Sequence, residues 1–384
     1  MKILLIGEYS NVHATLAEGL RLLGHQVTVV SNGDFWKDYP RDIDVSRPEG
    51  RLGGLRLMAR LYTLLPRLRG YDVVQLINPM FFELKAERLY FFYRYLRRHN
   101  RHVVLSACGM DWYWVYVCSY VKPLRYSDFN IGNETRTDAE ALRYQQEWIG
   151  TEKQRLSQMI ANDCDVIVTG LYEYHVCYRA YFPEKTTFIP FPIVMPENPD
   201  NPENPENPEN PENPELPENP EHPGKLRFFI GISRNRSAYK GTDIMLRAAQ
   251  HVASLYPDRV ELRIAEGVPF SQYQHMMDGS DAILDQLYSY TPSMNPLLAM
   301  SKGIICIGGG EPENYEILGE QELRPIVNVQ PNYESVCQEL ERLVLHPELL
   351  PELKRQSIAY VRRHHDYQKV AAQYAELYQK LLNS

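Results

Sequence analysis

No stretch of this 384-residue chain approaches the ~18 consecutive apolar residues of a membrane-spanning helix, so a transmembrane protein is excluded as a reading. The apolar opening run, residues 3–6, stops at Gly7 and Glu8 and is too short for a signal peptide. Cysteine is sparse and scattered. Cys108, Cys118, Cys164, Cys177, Cys306 and Cys337 form neither a CxxC pair nor a CxxC…HxxxH spacing, which argues against a zinc site or a disulfide framework and for a reduced, cytosolic compartment. A GxGxxG fingerprint is missing after the first apolar run, where Gly7-Glu8-Tyr9-Ser10-Asn11 stands instead, and this weakens a dinucleotide reading. A basic excess is missing too. The formal net charge is −8, yet residues 196–224 hold eight Glu and one Asp with no Lys or Arg, so the remainder carries 41 basic against 40 acidic residues. A near-neutral body lacks the footprint that nucleic-acid binding requires.

What is present is a globular balance, 44% hydrophobic and 23% charged, in a chain long enough for two domains. Short β-branched runs at 3–6, 27–30, 73–77, 103–105, 166–168 and 187–189 alternate with helical periodicity such as Leu16, Leu20 and Leu23, with Asn11 placed to cap that helix. The first domain, 1–195, therefore reads as a doubly wound α/β unit. At 196–224 an Asn-Pro-Glu repeat with ten prolines intervenes, expected as an extended, solvated spacer, with recognition by a proline-binding partner as the other reading. Strand-like runs at 226–230, 260–264 and 304–307 then define a second α/β domain, 225–366. It is followed by an amphipathic helix, 367–384, with Val370, Tyr374, Leu377 and Leu381 on one face.

Chemistry concentrates just past the spacer. Between the strand 226–230 and the next helix lies a basic turn with Arg234, Arg236, Lys240 and Gly241. Cations and free backbone amides at a strand-to-helix turn suit a diphosphate, so these side chains are expected to face a crevice. Farther on, Gly308, Gly309 and Gly310 precede Glu311, Pro312 and Glu313, a glycine-rich turn into a helix, and Asn295 lies between these two regions.

Taken together, the Arg-rich turn with Lys240-Gly241-Thr242-Asp243, the stretch Pro296-Leu297-Leu298-Ala299-Met300, and the turn Gly309-Gly310-Glu311-Pro312-Glu313 resemble the ordered motifs of family-four retaining glycosyltransferases. In the first half Cys108-Gly109-Met110-Asp111 is similar to that family's His-Gly-x-Asp turn, and Ile189-Pro190 to its closing Ile-Pro. The resemblance implies the GT-B fold, two Rossmann-like α/β domains facing across a cleft. It implies transfer of a sugar from a nucleotide diphosphate sugar to a saccharide or lipid-linked saccharide acceptor, without a metal or other cofactor. Arg234, Arg236, Lys240 and Gly241 would hold the diphosphate; Gly309, Gly310, Glu311, Glu313 and Asn295 the donor's sugar and nucleoside. Asp111 and His13 are the catalytic candidates, and Gly7, Asn11 and Gly109 would form the acceptor-side loops. The chain departs from the pattern at the paired glutamates, replaced by Tyr290 and Leu298, and at Cys108, where a histidine is usual. Those departures keep open a sugar-nucleotide-binding protein without catalysis, and the fold also admits an epimerase or hydrolase. Seven arginines between Arg41 and Arg69, interleaved with leucines, suggest either peripheral contact with an anionic membrane or an ordinary surface helix.

Overall fold

In the computed structural model, residues 1–196, 224–233 and 236–383 are described; the Asn-Pro-Glu repeat, apart from its ends, and Arg234 lie outside them. Nine strands lie in the first half: β1 (Lys2–Ile6), β2 (Gln26–Ser31), β3 (Ile43–Asp44), β4 (Val73–Leu76), β5 (His102–Ala107), the small hairpin β6 (Asn130–Ile131) and β7 (Glu134–Thr135), β8 (Val166–Thr169) and β9 (Thr186–Phe188). Seven of them form one parallel sheet in the order β3-β2-β1-β4-β5-β8-β9. The second half contributes β10 (Leu226–Ile232), β11 (Val260–Glu266), β12 (Ala282–Leu284), β13 (Ile305–Gly308) and β14 (Val327–Asn328), also parallel, in the order β11-β10-β12-β13-β14. The buried β-branched runs suit sheets covered on both faces by helices. Two Rossmann-like units result, as the resemblance implies.

Strand order reverses at β1/β4 in the first sheet and at β10/β12 in the second. At such switch points the connections leave to opposite faces and open a crevice beyond the carboxyl ends of the strands. The turns after β1, β10 and β12 all border one cleft between the sheets.

The closing helix, Tyr367–Asn383, does not stay with the second unit. Val370, Ala371, Tyr374 and Tyr378 bury against Leu16, Leu20, Val29 and Val104 of the first. The chain returns beside its own outgoing path: Ile193 N donates to His365 O at 2.6 Å and Tyr367 N to Ile193 O at 3.0 Å. The crossing is therefore a pair of adjacent backbone segments.

A second junction joins the two units through side chains. Glu173, buried on the helix Tyr172–Arg179, accepts from Tyr290 N (2.6 Å), Thr291 N (3.1 Å), Ser289 Oγ (3.0 Å) and Thr291 Oγ1 (2.6 Å) of the other unit. Arg136 donates to Tyr239 O and Ala238 O, and Tyr239 OH donates to Asp128 at 2.8 Å. Tyr239 and Tyr290 join the first unit's apolar core. A seam holding so many matched polar groups in a buried setting fixes how the two units meet.

Candidate functional site

The cleft has a volume of about 770 Å³, within the ~300–1,000 Å³ usual for small-molecule sites. Its first-unit wall comes from the turn after β1 (Ser10, Asn11) and the turn after β2 (Trp36, Lys37, Tyr39). Both turns are bent hard. Ser10, Asn11, Asp34, Phe35 and Asp38 all have φ between 50° and 72°, and Lys122 is the one other described non-glycine residue with positive φ. Left-handed backbone costs roughly 1–2 kcal/mol per side-chain-bearing residue, less for Asn and Asp, and such strain persists where surrounding contacts over-determine it. Here Asp34 supplies them: Ser10 N donates to Oδ2 at 2.8 Å and Lys37 Nζ at 2.6 Å, while Lys37 also reaches Ser10 Oγ at 3.2 Å.

The opposite wall comes from the second sheet's carboxyl edge. Arg236, Lys240 and Thr242 follow β10, Phe270 and Tyr273 follow β11, Asp285 follows β12, and Asn295 and Leu298 lie on the helix Met294–Ser301. The four-residue helix Ser237–Lys240 turns at Gly241 (φ 72°) into the helix Thr242–Leu255. A side chain at Gly241 would put Cβ 2.5 Å from Leu287 Cβ, so only glycine makes this turn at this depth. The tight turn sets Lys240 on the wall.

The wall's cations are poorly matched inside the protein. The Lys240 ammonium makes no hydrogen bond, and no ion pair within 4 Å, with any described residue, and burial lowers its pKa, opposed by nearby Asp285 and Asp128 and reinforced by Arg236 and Lys37. Arg236 Nε is buried without a hydrogen-bond partner and stands 3.7 Å from Glu140. Across the cleft Asn11 Oδ1 is likewise unpartnered. Buried polar atoms are nearly always paired, so an opening flanked by unpaired ones has the character of a ligand site. Burial also raises the Asp285 pKa, against the pull of Lys240.

At the rim, Trp36 and Tyr39 meet Phe270 edge-on, each with ring centroids 5.8 Å apart, and Phe270 stacks on Tyr273. Aromatic side chains from both units thus close one end of the cleft.

Of the residues singled out in the sequence, Arg236, Lys240, Asn295 and Asn11 line this cleft, and Gly241 shapes it. Others lie elsewhere. Asp111 is fully buried as the N-cap of the helix Trp112–Tyr116, accepting from Trp114 N at 2.8 Å and Tyr178 OH at 2.6 Å; burial raises its pKa to about 6. His13 is fully buried too. Its Nδ1 lies 2.8 Å from Gly7 O, so Nδ1 carries the proton and Nε2 accepts from Gln75 Nε2 at 3.2 Å; Gln75 Oε1 in turn accepts from Tyr378 OH. Burial lowers the His13 pKa to about 4. Neither Asp111 nor His13, the catalytic candidates of the sequence, is among the residues lining this cleft, and both are hydrogen-bonded within the first unit.

The acidic turn is also diverted. Arg125 from the first unit bridges Glu311 and Glu313, and Glu311 further accepts from Tyr126 OH, Asn328 and Gln330. The Arg125 guanidinium holds the Glu313 carboxyl below its ordinary pKa, burial working against it. Gly309 is required by a backbone: an added Cβ would lie 1.9 Å from Ser289 O. Gly310 N donates to Asn328 Oδ1 at 3.0 Å. This turn belongs to the seam between the units rather than to the cleft wall. Gly7 and Gly109 lie behind the wall, the latter against the Tyr9 ring. Asn11 does not cap its helix by side chain; Glu8 does, accepting from His13 N and Ala14 N.

Lys37, Asp285 and the aromatic rim were not foreseen. Lys37 stands in a charged, irregular segment without a motif, and Asp285 follows a three-residue strand too short for periodicity to reveal.

No family profile matches the chain, and no curated protein matches it in sequence. Solved structures do match. Sucrose-phosphate synthase from Thermosynechococcus elongatus aligns over 100% of both chains, with a TM-score of 0.62 at 11% identity. HepE from Anabaena, in complex with UDP-glucose, aligns over 99% of this chain and 100% of its own, with a TM-score of 0.56 at 14% identity. UDP-GlcNAc 2-epimerase from Neisseria meningitidis, bound to UDP-GlcNAc, aligns over 99% and 100%, with a TM-score of 0.53 at 12% identity. The likeness establishes the fold: this chain has the GT-B architecture. Among the described residues no helix is long and apolar enough to cross a membrane.

Proposed function

We propose that the cleft binds a nucleotide diphosphate sugar and that the chain transfers its sugar, a hexose-type unit, to a saccharide or lipid-linked saccharide acceptor. The observation that carries this reading is the convergence of Arg236 and Lys240, both short of partners, on a cleft faced by Lys37 from the other unit. Neutralising the departing diphosphate is the largest electrostatic demand of glycosyl transfer, and fixed cations in a half-buried site meet it. The neighbours solved with UDP-glucose and UDP-GlcNAc support the ligand class. Arg234, outside the described residues, adds a further cation to the same turn.

The resemblance to family-four enzymes supports retention of anomeric configuration and a place in surface polysaccharide or glycoconjugate synthesis. Peripheral attachment at the inner face of a membrane is supported by exposed Leu52, Leu55, Tyr62 and Phe91 beside the exposed Arg51, Arg56 and Arg60. Sedimentation with anionic against neutral vesicles tests that part.

Calorimetric titration with nucleoside diphosphates, followed by nucleotide release from a panel of donor sugars with and without a saccharide acceptor mixture, tests the whole. Release only with acceptor is expected. Sugar conversion without acceptor would replace transfer by the epimerase reading, which the Neisseria meningitidis neighbour favours. Binding without either reaction would leave a sugar-nucleotide-binding protein.

A further inference from the structure

Asp285 is the only carboxylate among the described residues lining the cleft. It leaves the carboxyl end of β12, the strand beside β10, whose following turn carries Lys240. Gln286 and Asn295 beside it favour its charged form against burial, and Asn295 Nδ2 is itself tied to Tyr273 OH at 2.8 Å. The acids that might share its task are occupied: Glu311 and Glu313 by Arg125, Asp128 by Tyr239.

A carboxylate next to an anion site is repulsive unless the ligand turns hydrogen-bond donors toward it. An ionised carboxylate is acceptor-only, with about four lone-pair positions, and two neighbours do not exhaust them. On a nucleotide sugar the donors that a fixed acceptor can take in pairs are adjacent ring hydroxyls. We propose that Asp285 is the hydroxyl-accepting specificity residue of this cleft, selecting a ring with vicinal hydroxyls beside a diphosphate at Lys240. The inference rests on the diphosphate reading above. The ring is either the ribose or the transferred sugar.

The test is calorimetric titration of the full chain and of Asp285→Asn with inorganic pyrophosphate, UDP, 2′-deoxy-UDP and UDP-glucose. Pyrophosphate should bind Asp285→Asn as well as wild type or a few-fold tighter, because a repulsive charge has gone; this also reports an intact site. Loss of a charge-assisted hydrogen bond should weaken the ligand bearing the selected ring about tenfold or more. If the ring is ribose, UDP loses that affinity and its advantage over 2′-deoxy-UDP disappears. If it is the sugar, UDP is unchanged and UDP-glucose loses it. Unaltered discrimination among the three nucleotides, with pyrophosphate still bound, overturns the inference alone. Weaker pyrophosphate binding also overturns it, since Asp285 would then act by positioning Lys240. Failure of wild type to bind pyrophosphate or any of the nucleotides refutes the diphosphate site and the inference with it.

Discussion

Replacing Lys240 by alanine separates affinity from stability. The ammonium has no hydrogen-bond partner among the described residues, and its burial is unfavourable enough to lower its pKa. Removing it therefore deletes no internal hydrogen bond and relieves a desolvation cost, and the melting temperature should hold or rise slightly. Toward a diphosphate the sign reverses. A charge-assisted contact contributes about 1.5–3 kcal/mol, or roughly 10- to 150-fold in Kd, and the neighbouring Asp285 would stand less compensated and repel the ligand more. Calorimetry of Lys240→Ala with UDP and ADP against thermal unfolding of the same preparation reads both signs. pH adds a third check, because an ammonium with a lowered pKa loses its proton before an ordinary lysine does. Wild-type affinity should fall as pH rises through that lowered value, and the variant should lack this limb. Nucleotide affinity within about twofold of wild type would refute the electrostatic account.

Trp36 is exposed at the cleft rim while Trp112, Trp114 and Trp148 are buried, so nucleotide binding should change tryptophan fluorescence in wild type and far less in Trp36→Phe. Burial raises the Glu8 pKa to about 7, so the native state takes up a proton that the unfolded chain releases; this contribution is fully present below ~4.5 and lost as pH rises to ~7, about 3 kcal/mol in all. His13 acts oppositely, its lowered pKa removing stability as pH falls from ~6.5 to ~4. The stability of wild type relative to Glu8→Gln should thus fall as pH rises from 4.5 to 7, read from denaturant midpoints; a difference that does not change with pH would contradict the assignment. Glu173→Ala leaves two amides and the Thr291 hydroxyl of the other unit without their acceptor, and should lower unfolding stability by about 3–5 kcal/mol; a loss under about 1 kcal/mol in chemical denaturation would show that the seam does not act as a unit.

How the candidate site could be read from sequence depended on distance along the chain. Strand runs such as 3–6, 103–105 and 226–230 announced themselves because a strand's burial is written in consecutive residues, and Arg236 and Lys240 were visible because strand, turn and cations lie within fifteen residues. The GT-B architecture follows from such short-range pattern and from the motifs that accompany it. Local pattern could not say which partner a polar side chain finds. Glu311 and Glu313 read as ligand acids until Arg125, nearly 190 positions earlier, was found between them. His13 and Asp111 stood out in the sequence as catalytic candidates, and no local pattern showed that one would pack with Gln75 and the other with Tyr178. Residue types state what a group can donate, accept or carry. Which of those capacities is consumed inside and which stays open to a ligand is settled by contacts between distant segments, because burial converts an unpaired polar atom from a harmless surface feature into a costly one.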